Sequence, residues 1–420
     1  MNIFEESYLE DLSKNDFEML SKNKYLVDKN LKVEEVKHGI ILPPEKYKVK
    51  IANKLGFNIP LHGKGGVINS DGTYVELSSQ DAYGMRQRVS GAYKINSEKV
   101  RFIDEEVIYM NYYIHQWGHF LLDVIGRLWY VLKSDKNLKI AYTCYKNEED
   151  KILGNYLEFI KLLGIEESRL VMINEVTQFS KVTNSTAQEF LLKPESSILP
   201  GKYYTKEYKN LFDEVVKNSN FNVSKAGKIY CSRSKLKIAK NKEIGENRIE
   251  EIFIKNGYRP IYMEQHSLSE QIEILNNSEE IVLTSGSLAH NLLFVKNKTK
   301  GTILNKTYRV NLHQFMINDL SEGLIKFVDI YIAPMPILYG LGPFLMSVTK
   351  PFKKYLKDEK IGLENEKLLS NKEYLNYYLK WIWLYKAYIF RINSISEGKN
   401  DYEKSFKQIR NYYKTGRNNE

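Results

Sequence analysis

Short apolar runs and stretches of helical spacing take turns along most of the chain. Runs at 100–109, 138–145 (LKIAYTCY), 170–173 and 179–183 read as strands, while 155–163 and 204–218 read as helices. Beyond the polar stretch NSNFNVSKAGK the alternation becomes regular: strand 228–232, helix 248–256, strand 259–263, helix 269–276, strand 281–284, helix 288–294, strand 302–304. Ser267 and Glu270 stand at the spacing of a capping box before the second of these helices. Strands that alternate with helices imply parallel sheets covered on both faces, an α/β fold. Residues 2–96 are less regular, an initial helix followed by β-like runs such as GIILP and GGVIN broken by Gly, Pro and Asn.

Two interruptions, PESSILP and the polar stretch near 218, divide the chain into an α/β domain over 1–218 and a second over 219–330. From YIAPMPILYGLGPFLM onward, residues 331–420 read as a helical extension whose Pro and Gly argue against a membrane-spanning helix. Its segment YLNYYLKWIWLYKAYIFRI carries Lys380, Lys386 and Arg391 among aromatics. That composition suits either an anionic membrane surface or packing back on the first domain.

The richest chemistry lies in YIHQWGHFLLDVIGRLWYVL, residues 113–132, read as one helix. At about 100° per residue, His115, His119, Asp123 and Arg127 share an arc of roughly 120°, with Trp117, Phe120, Leu121, Val124 and Leu128 opposite. The row reads as a general base, His119 or Asp123, acting on an acceptor hydroxyl, with Arg127 orienting a carboxylate or phosphate. Two other readings are a metal-dependent hydrolase site on His115, His119 and Asp123, and a core helix with a satisfied polar edge. The Glu of an HExxH motif is absent.

A second candidate is EEIVLTSGSLAHNLLF, where a buried strand ends in Ser285, Gly286 and Ser287 and a helix begins at once. Small residues and unpaired N–H groups at a helix start form an anion cradle that His290 and Asn291 could reach. In KIYCSRSKLK, Arg233 and Lys235 leave another strand at its carboxyl end, where α/β sheets bind ligands, and Arg233 suits a diphosphate. Glu246 opens the following helix, where it favours the dipole or accepts from a ribose.

Composition narrows the partners. The 420 residues carry a net charge of +10 and 43% hydrophobic content, which fits folded domains with anionic ligands. No stacking motif accompanies the dispersed charge, so nucleic acid is not the expected partner. Cys144 and Cys231 form no cluster and no secretory leader is visible, which fits a reducing, cytoplasmic setting.

In order and spacing, WGHFLLDVIGRLWYVL, IYCSRSK with IGENRIEEIF, and EEIVLTSGSLAHNLLF resemble glycosyltransferase family 61, which includes bacterial capsular polysaccharide biosynthesis proteins. The similarity covers about residues 105–310. His119, Asp123, Arg127, Arg233, Glu246, Gly286, Ser287 and Asn291 fall on the corresponding positions, whereas Gly245 stands where relatives carry Asn, and Thr284-Ser285 where many carry Gly or His. The resemblance implies a GT-B architecture of two Rossmann-like domains facing across a cleft, with 219–330 holding a nucleotide-sugar donor. It further implies inverting transfer to a polysaccharide or lipid-linked glycan acceptor, no essential metal, and a cytoplasmic enzyme that can be peripheral at the inner membrane face. A non-catalytic nucleotide- or polyanion-binding protein of the same fold is the alternative.

Overall fold

The computed structural model describes residues 7–45, 63–80, 89–186, 190–192, 201–222, 224, 227–240, 242–296, 299–308, 310–321, 323–332, 344–363, 372, 375 and 378–379. Most of the aromatic segment 374–392 and the PESSILP break lie outside them.

The first sheet has seven strands: β1 (Val33–Lys37), β2 (Ile40–Leu42), β3 (Gly66–Ile68), β4 (Arg101–Tyr112), β5 (Lys139–Thr143), β6 (Leu170–Ile173) and β7 (Thr177–Ser185). Their order is β3-β2-β7-β4-β5-β6, with β1 also on β7. β7, β4, β5 and β6 are parallel, whereas β1, β2 and β3 join antiparallel, so this sheet is mixed rather than uniformly parallel. β1 and β2 are two halves of one run along β7, interrupted at His38 and Gly39, where the His38 amide donates to the Ser180 carbonyl at 2.8 Å and the Phe179 amide to the Gly39 carbonyl at 3.0 Å.

A hairpin, β8 (Phe190–Leu192) and β9 (Gly201–Tyr203), precedes the second half. There β10 (Lys228–Cys231), β12 (Arg259–Ile261), β13 (Glu280–Thr284), β14 (Lys300–Asn305) and β15 (Leu324–Asp329) form an all-parallel sheet in the order β12-β10-β13-β14-β15. This is the doubly wound 2-1-3-4-5 order, whose topological switch lies between its first and third strands, here β10 and β13. The runs IYC, IVL and TIL are buried because a parallel strand is covered on both faces. Two short strands, β11 (Glu243–Ile244) and β16 (Phe344–Leu345), pair beside it.

The halves are not separate bodies. One apolar cluster runs from Ile108 and Ile140 of the first sheet to Leu283, Ile303 and Phe327 of the second. Helix Lys206–Asn218 lies within it, its Phe212 ring 5.9 Å from Phe159 and 5.7 Å from Phe294. Glu158 of the first half accepts from the Leu268 and Ser269 amides at 2.8 and 2.9 Å, where a carboxylate complements the start of helix Leu268–Asn277. The expected Ser267–Glu270 capping box is present there.

The chain start departs from the expected division at 218. Tyr8 bridges in parallel to Val328 at the edge of β15, and helix Asp11–Leu20 sets Phe17 5.7 Å from Phe327. Residues 7–20 therefore complete the second half from 320 positions away in sequence, a pairing that no local pattern announces. The second unit likewise extends past 330, through β16 and helix Lys350–Asp358, whose Phe352, Tyr355 and Leu356 are buried.

Gly245, the departure noted above, has a physical cause. Its φ is +99°, and a Cβ there would lie 2.1 Å from the Met346 carbonyl oxygen. Gly245→Ala is therefore expected to lower unfolding stability by roughly 1–3 kcal/mol, measured by urea denaturation; an unchanged midpoint would contradict the close approach.

Candidate functional site

The chemical helix of the first half starts later than the periodicity suggests and is not regular. The backbone stays non-helical through Gln116, then passes through α geometry at Trp117–His119, a π turn at Phe120–Val124, a 3-10 turn at Ile125–Arg127 and α again at Leu128–Val131. A π turn breaks the i to i+4 ladder and leaves carbonyls for other donors. Here Tyr208 Oη donates to the Leu121 carbonyl at 2.6 Å and Gln80 Nε2 to that of Asp123 at 2.7 Å.

The irregular backbone divides the expected row of four polar groups. His115 precedes the helix and pairs with Asp150 at 3.1 Å, so the metal set His115, His119 and Asp123 is not assembled. Among the described residues no group of three His, Cys, Asp or Glu side chains gathers as metal ligands. Arg127 is turned inward and 1% exposed, its guanidinium donating to the carbonyls of Leu77 at 2.6 Å, Ser79 at 2.8 Å and Ser185. It braces a loop against β7 and is not the surface arm that was expected to orient a phosphate.

His119 and Asp123 stay together. Nδ1 of His119 lies 2.7 Å from Oδ2 of Asp123, with the imidazole 45% exposed and the carboxylate 3%. A buried carboxylate accepting from Nδ1–H fixes the tautomer that makes Nε2 the basic nitrogen.

The start of this segment abuts the second half. A Cβ on Gly118 would stand 2.8 Å from both Ser287 Oγ and His290 Nδ1. Gln116 Nε2 donates to Ser287 Oγ at 2.6 Å, and Trp117 Nε1 donates to Asn291 Oδ1 at 2.6 Å. Asn291 passes its amide on to Gln271 at 3.0 Å, so it works as a clasp within the protein rather than as a ligand contact. His290 is buried, with Nε2 3.5 Å from Asn311. The helix after the turn is a 3-10 segment of six residues, Ala289–Phe294, and its first amides return to Gly286 and Ser287 carbonyls. The helix amides engaged in this way are those of Ala289 and His290, beyond the turn at Ser285–Ser287 itself.

Those neighbours include a charge cluster that the sequence did not reveal. Arg233 Nε and Lys306 Nζ reach the same oxygen of Glu243, at 2.8 and 3.1 Å. Burial pushes the Glu243 carboxyl up, but Lys306 and Arg233 outweigh it and hold the group below the usual range. Burial lowers the Lys306 ammonium, which lies 4.6 Å from the Phe344 ring and 3.8 Å from where a Gly286 Cβ would be. Lys306 leaves β14 just past its carboxyl end, its amide donating to Ser285 Oγ at 3.2 Å. The strand-end rule that picked out Arg233 would have found it in GTILNK. Lys235 instead stacks on Tyr262, 3.9 Å from the ring centre.

Glu246 is 2% exposed, and one of its oxygens accepts from Tyr230 Oη, Ser232 Oγ and the Arg233 amide at 3.0, 3.3 and 3.1 Å. Among the described residues the other oxygen has no hydrogen-bond partner. Burial, and then the Glu243 charge, raise its pKa to about 7, well above the usual carboxylate range.

Residues 117–302 match the family model Glycosyltransferase 61. Over that stretch the chain is similar to glycosyltransferase 61. The span runs from the start of the bulged helical segment into β14, and so contains His119, Asp123, Arg233, Glu246 and the turn at 285–287. Lys306 lies just beyond it. No match was found among curated proteins.

Two measurements check these assignments. Arg127→Lys keeps the charge but not the three-way fork, and is expected to lose roughly 2–4 kcal/mol of stability; equal stability with weakened anion binding would restore the ligand role. For Glu246, the folded pKa of about 7 exceeds the ordinary 4.5. The unfolded chain therefore loses this proton first, and stability falls as pH rises between those values. Melting temperature against pH should flatten over that window in Glu246→Gln; an identical profile would refute the shift.

Proposed function

We propose that the protein transfers a sugar from a nucleotide-sugar donor to a hydroxyl of a polysaccharide or lipid-linked glycan in cell-surface, capsular-type polysaccharide synthesis, with inversion at the anomeric carbon. The family domain supports a glycosyltransferase. The observation that carries the finer reading is the His119–Asp123 pair on a segment that abuts the switch-point turn of the second sheet. In this reading the second half is the donor domain of a GT-B design, and the first half presents the base.

His119 Nε2 takes the proton of the acceptor hydroxyl, whose oxygen attacks the anomeric carbon from the face opposite the diphosphate. The bond from that carbon to the phosphate oxygen breaks, and its electron pair leaves on the nucleoside diphosphate. Arg233, Lys306 and the Ser285–Ser287 turn receive that charge, already oriented by Glu243 and Gln116. Asp123 steadies the imidazolium that forms. Two cations at the leaving group do the work of a divalent ion, so the reading calls for no essential metal, and a UDP-linked donor is its first candidate.

The test is release of nucleoside diphosphate from nucleotide sugars in the presence of acceptor glycan. His119→Ala should abolish turnover with the melting temperature kept, Asp123→Asn should slow it by about 100-fold or more, and Lys306→Met should raise the donor KM. Near wild-type turnover in His119→Ala would remove the base assigned here.

A further inference from the structure

Gln116, which takes no part in bond making, joins the two halves of the site. Its Oε1 accepts from the His119 amide at 2.7 Å, capping the helical segment, and its Nε2 donates to Ser287 Oγ at 2.6 Å. The backbone N–H can only donate, so it fixes which end of the Gln116 amide is oxygen, and the end facing Ser287 must be the NH2 group. The Ser287 hydroxyl is thereby an acceptor toward Gln116, and its own proton remains to be given elsewhere. Gly118 stands against that hydroxyl, and at the neighbouring Gly286 the Lys306 ammonium lies 3.8 Å from where a Cβ would be, a charge that favours an anionic oxygen at this turn.

We propose that Gln116 sets the polarity of the Ser287 hydroxyl, making it a hydrogen-bond donor to a phosphate oxygen of a nucleoside diphosphate. The proposal rests on the donor-site reading above. Gln116 is a positioning residue: it acts through Ser287 and takes no part in bond making. A carboxylate in its place would still cap the His119 amide but would accept the Ser287 proton, reversing the hydroxyl and leaving the phosphate without it.

The experiment is titration of the full chain with uridine, guanosine and adenosine diphosphate, using the tightest of the three and its phosphate-free nucleoside as control. Gln116→Glu should keep the melting temperature, bind the diphosphate on the order of 10- to 100-fold more weakly, and bind the nucleoside as the wild type does. On a Ser287→Ala background the same change should cost much less, because the hydroxyl it acts through is gone. Gln116→Met, which removes the amide without adding charge, should weaken diphosphate binding less than Gln116→Glu. Equal diphosphate affinity in Gln116→Glu, or an equal loss with and without Ser287, would overturn the inference while leaving the donor site in place. If the wild type binds none of the three diphosphates, the donor-site reading falls and the inference with it.

Discussion

The absence of a side chain at Gly118 is the constraint on which the site depends. Ser287 and His290 of the second half occupy the space that a Cβ would take, so the bulged segment begins in contact with the switch-point turn. Any other residue would place a Cβ 2.8 Å from both side chains, closer than ordinary contact, so that one of them must give way, and near-attack geometry tolerates little displacement. The hydrogen bonds of Gln116 and Trp117 across the same junction, and the shared apolar core behind it, hold the contact from both sides.

Charge is organised around that contact in two tiers. The exposed tier is His119, steadied by a buried Asp123. The deeper tier is half-buried Arg233 with buried Lys306 and Glu243 near the turn, and Glu246 beside them. Two cations sharing one carboxylate leave a net positive charge in a place of low polarity, where it acts strongly on an anion and is screened little by salt. Glu243 keeps that charge from being too costly to bury, and burial beside Glu243 raises the pKa of Glu246.

Much of this was legible in the sequence. Buried parallel strands leave uninterrupted apolar runs, so LVMI at β6, KIYC at β10 and EIVLT at β13 were placed within a residue of their observed bounds. Chemistry at strand ends was legible for the same reason, which is why Arg233 and the Ser285–Ser287 turn stand at the switch point. The helical row of His115, His119, Asp123 and Arg127 was half right. An ideal 100° step cannot foresee a π turn, because that turn is stabilised by Tyr208 and Gln80 from distant segments. Lys306 and Glu243 are 63 residues apart and Tyr8 and Val328 are 320 apart, and only the folded chain shows that each pair meets.

The central claim is that one site spans both halves, with a diphosphate held at the switch point within reach of the base. A crystal structure of the protein with a bound nucleoside diphosphate tests it most directly. The account predicts phosphate oxygens beside Arg233, Lys306 and Ser287, with His119 facing the terminal phosphate. A diphosphate bound away from the β10 and β13 strand ends, or one that left His119 on the far side of the first sheet, would contradict it.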